Sequence, residues 1–312
     1  MFIYVLIVVI ILIGGLALYH HLQFKKAEKQ YPPVGKFVVV DHCKIHYISE
    51  GQGPPVVFLH GGILSSSDFK EAVHLAAKQG YHAIAIDRPG YGYSERPKNK
   101  KVTPITQAKI IHEALQKLEV EEPIILVGHS WSGTMTLSYA IHYPDSVAGI
   151  LLLGGAMYKE GYPAENGDLL SKLIATPILG DFILYTLLKT PLAKGMASSM
   201  VKATYAPEKA PEGYVEKVYA LGFRPTHFKA NRQDVLAFPR ASYEICNRYK
   251  EIKIFVGEKD PFYTIEQGER LRRDIAHATY HVIPDVGHMI PELHPQKVVE
   301  GIKELTTKTA II

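Results

Sequence analysis

The chain has 312 residues, 47% apolar and 21% charged, and its 35 lysines and arginines against 31 aspartates and glutamates leave a net charge of only +4. This is a globular composition with material for a large core, which excludes disorder, collagen and coiled coil. The slight basic excess lacks the dense positive face that nucleic-acid binding needs. Two cysteines, Cys43 and Cys246, exclude a disulfide scaffold and a cysteine-based zinc site; free thiols are the simpler reading and a single bridge the alternative.

Charge is unevenly spread. No charged side chain precedes Lys25, and Phe2–Tyr19 is apolar apart from Gly14 and Gly15. At about 1.5 Å per residue such a helix spans roughly 27 Å, close to the hydrocarbon thickness of a bilayer. Only Met1 precedes the run, so the charged start of a secretory signal is missing, and Gly15-Leu16-Ala17 offers a weak cleavage pattern. A retained single-pass anchor over 1–24 is therefore expected, ahead of a cleaved signal or a buried helix. His20, His21, Lys25, Lys26 and Lys29 follow, with Glu28 the one acid. That flank stays cytoplasmic by the positive-inside rule and places the soluble domain there. A linker is expected over 25–35 and a single domain over 36–312.

Strands are expected at Lys36–Asp41 and Lys44–Glu50, joined by a turn, and at Pro55–His60, which ends in glycines. A helix over Ser66–Gln79, a strand at His82–Asp87 and an amphipathic helix over Pro104–Glu119 follow. Next come a strand at Pro123–His129, a helix over Trp131–Tyr143 and a strand at Val147–Leu153. Further on, a strand at Glu251–Val256, a helix over Thr264–Asp274, a strand at Thr279–Ile283 and a helix from Pro295 to Leu305 resume the alternation. Apolar strands alternating with helices predict an α/β fold with a parallel sheet covered on both faces. Over about 155–232 the alternation gives way to helical segments broken by prolines, which reads as a cap. Its most apolar part, Leu169–Leu192, is interrupted by Lys172, Pro177, Asp181 and Lys189, which argues against a second membrane span. It reads as a helix packed on the core, as a lid over an apolar substrate pocket, or as both.

The strongest local signal is Gly128-His129-Ser130-Trp131-Ser132-Gly133, where the strand Ile124–Val127 meets a helix. A serine on so sharp a turn presents its hydroxyl clear of the backbone, and the helix N-terminus favours developing negative charge. Its hydroxyl needs a base. Among 15 histidines, His288 follows the last expected strand and leaves the same sheet edge as Ser130. His60 and His129 lie at that edge too, but beside glycines, where backbone packing accounts for them. The orienting acid is Asp260, on the loop after the strand at 251–256; Glu258 and Asp285 are its rivals, Asp285 awkwardly only three residues from His288. Ser130, Asp260 and His288 occur in the order serine, acid, histidine. His60-Gly61-Gly62 lets the backbone approach a substrate, so the amides of Gly62 and Trp131 are the candidate oxyanion donors.

With these motifs, and with Asp87-Arg88-Pro89-Gly90-Tyr91-Gly92-Tyr93-Ser94, the chain resembles the α/β-hydrolase superfamily over roughly 36–305, in the branch with a cap between the sixth and seventh strands. The resemblance implies a mostly parallel eight-stranded sheet with a helical cap, and makes Asp87–Ser94 a structural loop beside the site. Ser132 departs from the pattern, standing where the family has the second glycine of the serine turn; a small residue there is expected to preserve it. A serine nucleophile, rather than aspartate, argues against epoxide hydrolases and haloalkane dehalogenases. Ile63-Leu64-Ser65 lacks the proline-glycine of proline iminopeptidases. Trp131 reads equally as an acyl-pocket wall or as core.

These parts predict ester hydrolysis through an acyl-enzyme, with no metal or organic cofactor. The anchor and the apolar cap suggest a lipophilic, monoacylglycerol-like ester as the small-molecule partner, the membrane as the partner of residues 2–19, and no nucleic acid. The alternatives are acyl transfer to another acceptor, perhydrolysis or lyase chemistry on the same fold. A non-catalytic membrane-tethered binding protein would lack a triad member, and all three are present.

Overall fold

The first helix, α1 (Phe2–Gln30), is long and apolar enough to cross a membrane, a test that an N-terminal signal sequence also passes. It opens a computed structural model that describes the chain apart from residues 64, 99, 253–254, 261–264 and 310–312, with the backbone alone for 255–260, 265, 308 and 309. The boundary expected after residue 24 falls inside this helix. Residues 25–30 are good helix formers with no break before Pro32, so the helix runs on and buries Phe24 and Ala27.

Eight strands follow: β1 (Lys36–Val40), β2 (Cys43–Glu50), β3 (Pro55–Leu59), β4 (His82–Ile86), β5 (Ile124–His129), β6 (Val147–Leu153), β7 (Phe255–Asp260) and β8 (Ala278–Val282). They form one sheet in the order β1-β2-β4-β3-β5-β6-β7-β8. The β1–β2 and β2–β4 pairs are antiparallel and the others parallel. Helices α2 (Lys70–Lys78), α3 (Pro104–Lys117), α4 (Ser132–His142), α10 (Ile265–Asp274) and α12 (Pro295–Thr309) cover the sheet. Side chains alternate along each strand. Val57, Leu59, Ile84, Ile86 and Leu126 therefore pack on one face with Ile111, Met135 and Leu137 of α3 and α4. Val56, Phe58, Ala83, Ala85 and Val127 pack on the other with Val73 of α2 and Val298 and Ile302 of α12.

The segment between β6 and β7 holds α5 (Leu169–Ala175), α6 (Leu179–Thr186), α7 (Pro191–Tyr205), α8 (Tyr214–Lys217) and α9 (Pro225–Cys246); α11 (Ile290–Leu293) follows β8. The cap boundary expected at 232 falls within α9, which starts where Pro225 occupies a first-turn position and needs no amide partner. The cap has its own apolar cluster, including Leu184, Ala197, Tyr205, Tyr214 and Phe228, and this cluster takes in Phe24 of α1 and Met289 beside His288. Cys43 and Cys246 are free thiols.

Register sets the site. Leu59 pairs with Gly128, His129 with Leu153, Leu153 with Lys259, and Asp260 with Val282. The C-terminal ends of β3, β5, β6, β7 and β8 thus share one edge. The seventh strand is displaced from its expected position, since Tyr249–Glu251 is a 3-10 turn and β7 continues to Asp260. The apolar run up to Val256 drew the expectation too early; charged residues occupy the end of this strand, and Asp260 closes it rather than following it on a loop.

Candidate active site

Ser130 lies between the end of β5 and the start of α4 with φ +53°. A non-glycine residue in this left-handed region is strained and persists only where its surroundings hold it. Here they do. The Ser130 amide donates to the Leu153 carbonyl at 3.1 Å, and the Ser130 carbonyl accepts from the amides of Gly133 and Ala156, both at 2.9 Å. The glycines on either side are required by space. A Cβ on Gly128 would sit 2.3 Å from Thr136 Oγ1, and one on Gly133 2.8 Å from the Ala156 carbonyl oxygen. Ser132 is tolerated because its hydroxyl donates to the His60 carbonyl at 2.5 Å. The departure from the family pattern thus becomes a tie between the serine turn and the glycine loop.

That loop lies directly against the turn: a Cβ on Gly61 would come within 3.0 Å of Ser130 Cβ and 2.9 Å of His129 Nδ1. Side chains hold its carbonyls one after another. Arg88 donates from Nε to the His60 carbonyl at 3.0 Å and from Nη2 to the Gly61 carbonyl at 2.9 Å. Asn231 Nδ2 donates to the Gly62 carbonyl at 2.6 Å, and His227 Nε2 lies 3.2 Å from the Ile63 carbonyl. In a trans peptide the N–H points opposite the preceding C=O. Fixing the Gly61 carbonyl on Arg88 therefore aims the Gly62 amide the other way, and Asn231 does the same for Ile63. Arg88 is fully buried and is balanced by Asp234, 2.7 Å from its Nη1; Gln107 lies at 3.1 Å and Arg96 also reaches Asp234.

His288 lies on the loop after β8. Its amide donates to the Thr204 carbonyl of α7 at 3.1 Å, and its carbonyl accepts from His129 Nε2 at 2.8 Å. The rings of His129 and His288 are 4.9 Å apart. Gly287 donates to Glu208 at 2.7 Å, and a Cβ there would sit 2.2 Å from the Tyr205 carbonyl oxygen, so the loop is pressed on the cap. His129, immediately before Ser130, thus links the serine turn to the His288 loop. Burial first, and then the neighbouring His288, hold His129 down at about 3 against the hydrogen bond to the His288 carbonyl. It is a neutral imidazole whose Nε2–H is committed to the backbone. His60 is likewise held well below the usual range, first by burial and then by Arg88. Its Nε2 accepts from the Arg88 amide and its Nδ1 meets the Gly61 carbonyl. Both histidines are scaffold, as their glycine neighbours suggested.

Gly61 of the glycine loop lies against Ser130, and the His288 loop is tied to His129, the residue before Ser130. The Trp131 indole does not face them: it is buried, donates to the Asp234 carbonyl at 3.2 Å and lies 4.2 Å from the Arg88 guanidinium. Of its two readings, core is the right one. The backbone of Asp260 reaches the same sheet edge, two strands from β5, while its side chain and that of Glu258 lie outside the described residues. Asp285 is exposed. Arg88, Asn231 and His227 were not singled out from sequence. Arg88 lies within Asp87–Ser94, which reads only as a structural loop beside the site, and Asn231 on α9 left no signal. A groove of about 1520 Å³ runs between the 90–103 loop and α9, lined by Tyr93, Arg96, Asp181, Arg224 and Lys229, and includes neither Ser130 nor His288.

Residues 54–295 match the sequence model of a family described as alpha/beta hydrolase fold. The chain belongs to the α/β-hydrolase family. This hydrolase is 26% identical over 287 residues to the cis-3-alkyl-4-alkyloxetan-2-one decarboxylase of Shewanella oneidensis, covering 85% of this chain and 86% of that protein. It is 28% identical to the 2-hydroxy-6-oxo-6-phenylhexa-2,4-dienoate hydrolase of Comamonas testosteroni, over 78% of this chain and 84% of that one. Its fold resembles the crystal structure of a membrane phospholipase A, a bacterial virulence factor, with a TM-score of 0.70 at 15% identity, over 99% of this chain and 98% of that one.

Proposed function

We propose that this hydrolase cleaves a lipophilic carboxylic ester of the monoacylglycerol kind through an acyl-enzyme on Ser130, with the domain held at the cytoplasmic face of a membrane by residues 2–19. The observation that carries the reading is Ser130 itself, strained at φ +53° and clamped against a glycine loop whose carbonyls are tied away from it.

His288 takes the proton as Ser130 Oγ attacks the ester carbonyl, and Asp260 orients and stabilises the imidazolium. The Gly62 and Trp131 amides receive the oxyanion. His288 returns the proton to the alcohol, which leaves; water then attacks the acyl-enzyme with His288 again as base, releasing the acid and restoring Ser130. The lipophilic preference is supported by the apolar helix α1 and by a fold shared over 99% of this chain with a membrane phospholipase. The relatives' names also keep decarboxylation and dienoate hydrolysis as a second reading for the same serine.

Fluorophosphonate labelling followed by a chain-length panel of p-nitrophenyl and monoacylglycerol esters, with a 2-hydroxy-6-oxodienoate alongside, tests both. Wild type should label and turn over medium or long esters, and Ser130→Ala should do neither. Undiminished labelling of Ser130→Ala would refute the assignment; turnover of the dienoate alone would favour the second reading.

A further inference from the structure

We infer that the corner between α5 and α6 dips into the bilayer surface beside α1, so that the cap rests in lipid. The inference builds on the reading of α1 as a membrane anchor. The two helices are bent by 99° at the corner, and their combined sequence is apolar enough for a span. Neither arm is long enough to cross: α5 reaches about 10 Å and α6 about 12 Å. Leu169, Ile178, Leu179, Phe182 and Tyr185 are exposed, Ile178 at 85%. Within Leu169–Thr186 the only charges are Lys172 and Asp181, and Asp181 is paired with Lys229 at 2.6 Å.

The corner is built, not loose. Gly180 lets α6 seat against α5, since a Cβ there would sit 2.1 Å from the Ile174 carbonyl oxygen. Ile178 takes φ +64°, a conformation that β-branched residues rarely adopt. In water that strain has no return, because the side chain it holds out touches almost nothing. In lipid, each methylene removed from water contributes about 0.8 kcal/mol.

Its height fits a membrane surface. The buried side of α6, through Leu184, packs in one cluster with Phe24 of α1. Phe24 lies five residues past the apolar run ending at Tyr19, about 7.5 Å along the helix. Interfacial helices bury themselves roughly 5–10 Å deep in this zone. The corner also has a route to the site, because α5 and α6 pack on α9, which carries Asn231 and its bond to Gly62.

The test uses the full chain in nanodiscs of phosphatidylcholine and phosphatidylglycerol, in a Cys43→Ser, Cys246→Ala background. An environment-sensitive dye is placed on Ile178→Cys, on Ile10→Cys in α1 or on Lys78→Cys, far from the cap, and nitroxide lipids act as quenchers. The Ile178 label should be quenched about threefold more than the Lys78 label, most by nitroxides near the headgroup, and the Ile10 label most by deep ones. Quenching at Ile10 but not at Ile178 overturns this inference and leaves the anchor standing; no quenching at Ile10 overturns both. A blue-shifted but unquenched Ile178 label would mean that protein, such as a second copy, covers the corner, and also overturns it. In activity, Ile178→Ser with Phe182→Ser should lower turnover of a vesicle-borne ester about tenfold and leave a soluble short ester unchanged. Equal loss on both would likewise count against it.

Discussion

At Gly62 a single side chain from the cap decides the direction of a backbone group. Asn231 holds the Gly62 carbonyl at 2.6 Å, and Arg88 holds the carbonyl before it. Deleting an oxyanion donor outright costs about 10²–10³ in rate. Asn231→Ala deletes no donor; it frees one peptide plane while Arg88 still fixes its neighbour. The expected result is a fall in kcat of about tenfold, smaller than the loss of a donor, with KM nearly unchanged. Steady-state kinetics on a soluble ester would check it, and an unaltered kcat would mean that Asn231 does not position the loop. The placement of Ser130 on a strand-end turn and of His288 after the last strand was legible through spacing, because the proposed chemistry needs a turn and a loop at one sheet edge. Arg88 and Asn231 act by touching carbonyls far away in sequence, 27 and 169 residues distant, and local pattern carries no trace of such a contact.

Among the elements, those whose pattern was decided by burial on both sides were legible: β3 and β5 are buried along their whole length and appear where the apolar runs lie. β7 was misplaced because its last residues, Glu258, Lys259 and Asp260, are charged, and a charged run does not read as a strand of a buried parallel sheet. Helix α1 was cut short for a related reason. The anchor is expected to end at residue 24, and 25–35 reads as linker, because 25–30 is charged apart from Ala27 and Gln30, yet the helix runs on through it with His20, Phe24 and Ala27 buried. Phe24 is 7% exposed, packs among cap residues and lies 5.2 Å from Lys189 Nζ, itself held down to about 8, first by burial and then by Arg224. Phe24→Ala should cost about 3 kcal/mol at this joint. In nanodiscs, trypsin cleavage at the neighbouring Lys25, Lys26 and Lys29 should then speed up at least about tenfold. Unchanged cleavage would show that α1 is not docked on the cap.

Across the whole molecule, the cap and the sheet domain meet at a buried carboxyl. Asp68 follows the glycine loop on the sheet side and accepts from Tyr214 Oη of α8 at 3.1 Å. Burial pushes it up to about 7, and the neighbouring Glu292 of α11 adds to the rise, while Lys217 and the Tyr214 hydroxyl oppose it. Glu292 is itself raised, by its own burial. The folded protein therefore holds a proton on Asp68 that the unfolded chain releases near 3.8. The stabilisation is complete below the unfolded value and is lost progressively as pH rises to about 7. The loss amounts to about 4 kcal/mol by pH 8, since each tenfold difference in proton affinity between the folded and unfolded chain is worth about 1.4 kcal/mol. Asn keeps the acceptor for Tyr214 and never ionises. Asp68→Asn should therefore flatten the stability profile between pH 5 and 8 and raise Tm most at the alkaline end. Thermal melts of the full chain in detergent across that range would decide it. If the two proteins kept parallel profiles, Asp68 would have to be ionised in both limbs, and the joint between cap and sheet would not be the pH-sensitive element of this fold.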